Sequence, residues 1–177
     1  ADTEVLGALV AKATGEPLAN YLSRKVWQPM GAEADARWVL DAPGSAGREA
    51  AAGGISARLR DYGRFGLMFL RQGRWQGEQV IPANWVATSV LPLSDAGPRG
   101  GYGYMWWTER SGAGFPGVVL PAGSYSAQGV GGQYCLVIPS LDLVIVHRVN
   151  TDIKGTEVSR FAFGRLLRLI LEARQPG

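Results

Sequence analysis

Val5, Leu6, Leu9, Val10 and Ala13 recur with a helical period that stops at Gly15, and Pro17 then opens a second short run carrying Leu18, Tyr21, Leu22 and Val26. Two helices are therefore predicted ahead of a first turn at Pro29-Met30-Gly31. Residues 42–54 are rich in Ala and Gly and carry no period. Ser56 follows as the expected N-cap of a helix whose Leu59, Tyr62, Gly66, Phe69 and Leu70 share a face up to Gly73. Pro82 stands at the expected first position of another helix, ahead of Trp85, Val86 and Val90.

From Tyr102 the period changes to two. Tyr102, Tyr104 and Trp106 alternate with Gly103, Met105 and Trp107, which predicts one strand with bulky groups on both faces. A Gly/Pro-rich loop at 112–123 leads to predicted strands at 124–128, 133–138 and 143–149, the last two joined by a turn at Pro139-Ser140-Leu141-Asp142. Links this short favour antiparallel neighbours over a wound parallel sheet. A helix near 157–173 closes the chain, with Phe161, Leu166, Leu169 and Ile170 as its expected apolar face. The pattern is that of an α+β fold: a mostly helical region at 1–100, then antiparallel strands and a C-terminal helix at 101–177, built as one compact unit.

Composition sharpens this picture in three places. At 177 residues and 46% hydrophobic, the chain fills a real core and is globular; a chain of this size buries roughly 70% of its unfolded surface. The net charge of +3 is spread through helical segments among acids and apolar residues, with no basic run, so no nucleic-acid partner is expected. No apolar stretch reaches the ~20 residues of a membrane span, and no signal pattern opens the chain. The chain starts at Ala1-Asp2-Thr3 and enters a helical pattern at once, so a processed or truncated chain is expected.

Candidate chemistry is sparse. A nucleophilic serine needs a base within reach, and neither Ser-x-x-Lys nor Gly-x-Ser-x-Gly occurs. The lysines are Lys12, Lys25 and Lys154, and the residue three before Lys154 is Thr151, in an expected loop. His147 is the lone histidine, in an apolar strand, and reads as structural. Cys135 is the lone cysteine, which excludes an intrachain disulfide and reads as a buried thiol. With one of each, no zinc site is expected, and no cofactor. Asp41 with Glu49 and Asp142 with Asp152 read as surface or turn carboxylates. The aromatic cluster Tyr102, Tyr104, Trp106 and Trp107 fits either sheet packing or a pocket wall.

The segment Tyr125-Ser126-Ala127-Gln128-Gly129-Val130-Gly131-Gly132-Gln133 stands apart. Its glycines let backbone come close to a ligand and direct N–H groups outward, as in an oxyanion hole. Polar Gln128 and Gln133 flank the bend inside otherwise apolar strands, which points to a ligand-facing role.

Five segments in order, ADTEVLGALVAKATGEPLANYL, WQPMGAEADARWVLD, GREAAAGGISARLRDYGRFGLMFLRQGRWQGEQVIPANWV, YGYMWW and YSAQGVGGQYCLVIPSLDLVIVHRVN, resemble serine hydrolases of the β-lactamase and penicillin-binding type. The resemblance is to the branch of 6-aminohexanoate-dimer hydrolases and related esterases, and covers nearly the whole chain. It implies an antiparallel sheet packed by helices beside a helical region, with the active site between them. Members acylate a serine in Ser-x-x-Lys and use the lysine and a tyrosine triplet for proton transfer. Both motifs would lie upstream of Ala1, so the resemblance implies that the N-terminal part of the fold is missing.

Gln128-Gly129-Val130-Gly131-Gly132 matches the family's third motif, Lys-Thr-Gly or His-x-Gly. The resemblance assigns the Val130 N–H as an oxyanion donor, and Tyr125, Gln128, Gly129, Gly131, Gly132 and Gln133 as substrate-binding. Without a lysine there, a small amide or ester is the implied substrate rather than a β-lactam. Two rival readings stay open: a non-catalytic ligand-binding relic of the fold, and a self-sufficient hydrolase using Ser56 or Ser126. A sheet lacking its N-terminal partners would expose apolar surface, so a swapped dimer or a complementary N-terminal fragment is the expected partner.

Overall fold

The computed structural model describes residues 2–95, 97, 100–108 and 114–174. Ala1 and residues 112–113 of the expected loop lie outside them. Helix α1 (Asp2–Thr14) leads into α2 (Leu18–Leu22), which widens into one π-helical turn at Ser23–Trp27. Two residues each form the paired strands β1 (Arg37–Trp38) and β2 (Ile55–Ser56). Helix α3 (Leu59–Leu70) follows, then the small hairpin of β3 (Arg74–Trp75) and β4 (Glu78–Gln79), and α4 (Ala83–Ser89).

The main sheet is an antiparallel meander of β5 (Ser94–Asp95), β6 (Gly101–Tyr102), β7 (Trp107–Thr108), β8 (Tyr125–Gly129), β9 (Gln133–Ile138) and β10 (Leu143–His147), each paired with the next. Helix α5 (Arg160–Ala173) closes the chain.

Alternation along β9 divides the core into two layers. Val137 packs with Met68 and Phe69 of α3, together with Met30, Trp106 and Tyr125. On the opposite face Tyr134, Leu136 and Ile138 pack with Phe163 and Leu167 of α5 and with Phe115. Gly66 fixes how close α3 comes, since a Cβ there would lie 2.6 Å from Val144 Cγ1 and 3.0 Å from Cys135 Sγ. Asp61, fully buried in the first turn of α3, ties that helix to the loop before β1. Its Oδ1 accepts from Glu33 N–H and from Arg64 Nη1, both at 2.8 Å. Arg64 also donates to Glu33 Oε1 at 2.8 Å, and this hydrogen bond holds the Glu33 carboxyl below its usual range.

Several expectations change. Ser56 lies in β2 and caps nothing; α3 begins after Arg58, whose side chain makes no cap. Pro82 precedes α4 as its N-cap residue rather than its first helical residue. Residues 102–107 form a hairpin instead of one strand, with Tyr102 opposite Trp107. Met105 takes φ +65°, Gly103 N–H donates to Trp106 O at 2.8 Å, and Tyr104 N–H is drawn to Ser89 O at 2.8 Å. In α5 the buried face is Phe163, Gly164 and Leu167, while Phe161, Leu166, Leu169 and Ile170 are exposed. That helix is apolar on two sides, and periodicity alone does not say which one meets the sheet.

Candidate active site

Between the π-turn, α3 and the ends of β8 to β10 lies an apolar cavity of about 430 Å³. Val26 and Trp27 close one side, Tyr62 and Phe65 of α3 another, and Trp107, Ala127 and Cys135 the sheet side. Gln128, Gly129 and Gln133 border it where the chain enters and leaves the glycine bend, and Arg148 stands at its edge just beyond β10. Two larger hollows, one against α5 and one beside α1, do not touch the bend.

The bend is braced from behind. Gly131 and Gly132 take φ +78° and +108°. A Cβ would lie 2.7 Å from Thr151 Cγ2 at Gly131 and 2.8 Å from Val158 O at Gly132. These two glycines are thus required by the turn and its neighbours, with or without a ligand. Gly131 O accepts from Val158 N–H at 2.9 Å, and Gly132 O accepts from His147 Nδ1 at 2.8 Å. Val130, at the tip, is 92% exposed, and among the described residues nothing engages its N–H.

The predicted site residues divide. Gln128, Gly129 and Gln133 border the cavity, with Val130, Gly131 and Gly132 next to them in the bend. The Gln133 amide is committed to the backbone after β10: Nε2 donates to Val149 O at 2.9 Å and Oε1 accepts from Val149 N–H at 3.3 Å. Gln128 Nε2 donates to Ser126 Oγ at 2.9 Å. Tyr125 does not border the cavity; it is buried in the core edge-to-face on Trp106, 5.1 Å between ring centres. Burial there pushes its phenol pKa far up. Its place at the start of β8 sets it deep in the layer under α3, apart from the cavity.

The aromatic cluster splits as well. Tyr102 and Trp107 line the cavity, Trp106 is core, and Tyr104 is half-exposed and stacked on Trp85. Ser126 is buried with its hydroxyl accepting from Gln128, and Ser56 is exposed on β2. Among the described residues no imidazole or amine is hydrogen-bonded to either. Asp142 meets Arg71, the residue that follows α3, rather than Asp152.

Sequence reasoning missed Tyr62 and Arg148 as site residues. Tyr62 Oη donates to Ile55 O at 2.5 Å and accepts from Arg148 Nη2 at 3.1 Å. The guanidinium carbon sits 4.1 Å from the centre of the Tyr62 ring. Burial raises the Tyr62 pKa, and the Arg148 charge opposes that rise. The two are 86 positions apart, so no local pattern could pair them.

The comparisons agree with this architecture. The beta-lactamase family model matches residues 1–168. The 6-aminohexanoate-dimer hydrolase of Paenarthrobacter ureafaciens is 32% identical over 157 residues, covering 82% of this chain and 37% of that protein. A solved Bacillus anthracis chain assigned as a 6-aminohexanoate-dimer hydrolase superposes with a TM-score of 0.73 at 25% identity, covering 96% of this chain and 41% of that one. A beta-lactamase structure from Mycobacterium bovis gives a TM-score of 0.69 at 20% identity, over 97% of this chain and 62% of that one, a likeness of fold. The chain thus spans about two fifths of the hydrolase relatives it matches. On the family match over residues 1–168 and the shared antiparallel fold, this chain belongs to the beta-lactamase family.

Proposed function

We propose that these 177 residues are the C-terminal part of a serine-dependent amide or ester hydrolase. They supply the oxyanion strand and part of the substrate cleft, while the nucleophile comes from outside this chain. The observation that carries this reading is the Val130 N–H, without a partner among the described residues, in a braced bend beside an apolar cavity. A donor held rigid before the substrate arrives needs no reorganisation when charge develops on the carbonyl oxygen. Gln128 and Gly129 would border the acyl group, and Gly131 and Gly132 would hold the bend's shape.

A covering partner is part of the proposal. Val5, Leu6 and Leu9 of α1 and Phe161 and Leu169 of α5 are more than half exposed, and β10 is a sheet edge. A complementary N-terminal segment of the family fold, or a swapped second copy, would bury them.

The test is the parent reading frame and the protein it encodes. Ser-x-x-Lys and a tyrosine triplet upstream, with turnover of p-nitrophenyl esters or short amides by that protein, support the hydrolase. There Val130→Pro should cut kcat by about 100-fold to 1000-fold and Val130→Ala should be mild, because the donor is backbone. Absence of both motifs would leave the ligand-binding relic as the better reading. Labelling of the 177-residue chain by a fluorophosphonate would instead favour Ser56 or Ser126 as a nucleophile of its own.

A further inference from the structure

We propose that Met105 is an oxidation site: a peroxide converts its thioether to the sulfoxide, and the sulfoxide weakens the binding of apolar ligands in the cavity between α3 and the sheet. The effect on ligands rests on the reading of that cavity as the substrate cleft.

Three observations converge on this methionine. The chain has three methionines and one cysteine. Met30 and Met68 are fully buried in the core, whereas Met105 is 53% exposed. An exposed thioether is open to a dissolved oxidant, and a buried one is shielded. Cys135 is buried and its thiol is pushed up to about 12, so the thiolate that a peroxide attacks is withheld. Met105 also lines the cavity, together with Tyr102 and Trp107. Lastly, it stands at the tip of the β6–β7 hairpin with φ +65°. Glycine takes that conformation without strain, so the turn does not itself call for a methionine.

The sulfur is oriented as well as exposed. Tyr102 Oη donates to Met105 Sδ at 3.5 Å, and burial raises the Tyr102 pKa, so the phenol keeps that proton. The phenol engages one sulfur lone pair and leaves the other for the oxidant. With hydrogen peroxide, that second lone pair attacks one oxygen and the O–O bond breaks. Sulfur is oxidised by two electrons, the peroxide is reduced by two, and after proton transfer the products are the sulfoxide and one water. Oxidation thus puts a polar oxygen on an apolar side chain. A ligand that closes over it strips it of water, a cost that the thioether does not carry.

The test uses the 177-residue chain, hydrogen peroxide, and 6-phenylhexan-1-ol as an apolar probe titrated calorimetrically. Under limiting peroxide, peptide mass spectrometry should find one added oxygen on Met105 while Met30 and Met68 stay unmodified. The oxidised chain should bind the probe about fivefold or more weakly than the native chain, the range of one polar group stripped of water. The two methionine sulfoxide reductases, one for each epimer, should together restore binding. Met105→Leu, and Met105→Gly as a variant suited to the φ, should each bind the probe equally before and after peroxide, with urea unfolding to show that they fold. Oxidation of Met30 or Met68 as fast as Met105 would overturn the assignment. Probe binding unchanged by full oxidation of Met105 would overturn it as well, and so would a loss that both variants share or that the reductases fail to reverse; each of these leaves the cleft standing. Binding of the probe by neither the native nor the oxidised chain would overturn both the inference and the cleft.

Discussion

His147 Nδ1 lies 2.8 Å from the carbonyl oxygen of Gly132. A carbonyl only accepts, so Nδ1 carries the proton, and the lone histidine acts as a brace on the bend that presents Val130. The ring also packs near Phe163, 5.2 Å between centres, which couples the bend to α5. His147→Ala should cost about 1–2 kcal/mol in urea unfolding, one hydrogen bond plus lost packing. Unchanged stability would mean that the bend holds without it.

The two positive-φ glycines should differ in cost. At Gly131 the obstacle to a Cβ is the Thr151 methyl, which can rotate, whereas at Gly132 it is the Val158 backbone. Gly131→Ala should lose about 1 kcal/mol and Gly132→Ala about 2–3 kcal/mol, from φ strain plus the clash. The reverse order in thermal unfolding would contradict the geometry.

Asp61 is fully buried, with Oδ1 shared between Glu33 N–H and Arg64. Removing it leaves a backbone donor unpaired and Arg64 with half of its partners. Asp61→Ala should destabilise by about 3 kcal/mol or more, as for other broken buried ion pairs. A loss under about 1 kcal/mol would show that Glu33 alone satisfies Arg64.

Burial pushes the Cys135 thiol up to about 12 from an ordinary 9.0. Above pH ~9 the folded chain binds this proton more tightly than the unfolded chain does, so stability falls as pH rises. The contribution is fully present below about pH 9 and is lost as pH climbs toward 12. In urea unfolding between pH 8 and 11, the stability of the native chain minus that of Cys135→Ala should shrink with pH. A difference flat across that range would contradict the buried, protonated thiol.

The parent protein should hydrolyse nitrocefin poorly compared with p-nitrophenyl esters, because Gln128-Gly129-Val130 brings no lysine to the strand. Efficient nitrocefin turnover would show that another cation takes the β-lactam carboxylate.

Local pattern was enough for the last three strands of the meander and for most helices. Alternation and short links marked β8, β9 and β10 within a residue or two, and Gly15 and Gly73 marked where α1 and α3 end. These signals are local because a strand's two faces and a helix's stop are set by residues next to one another. Where the chain had two self-consistent local solutions, tertiary contacts chose. Residues 102–107 alternate like a strand yet fold back, because Ser89 O takes the Tyr104 N–H and Trp107 pairs with Tyr102.

The sequence by itself determined the α+β class, the family resemblance and the bend at 129–132, since each rests on composition, period or a contiguous motif. Only the tertiary structure decided that α5 turns Phe163 and Leu167 inward, that Tyr125 belongs to the core, and that Tyr62 and Arg148 meet at the cavity. Those outcomes depend on which surfaces lie opposite one another after packing, and residues 86 apart carry no mutual signal until the sheet and α3 bring them together.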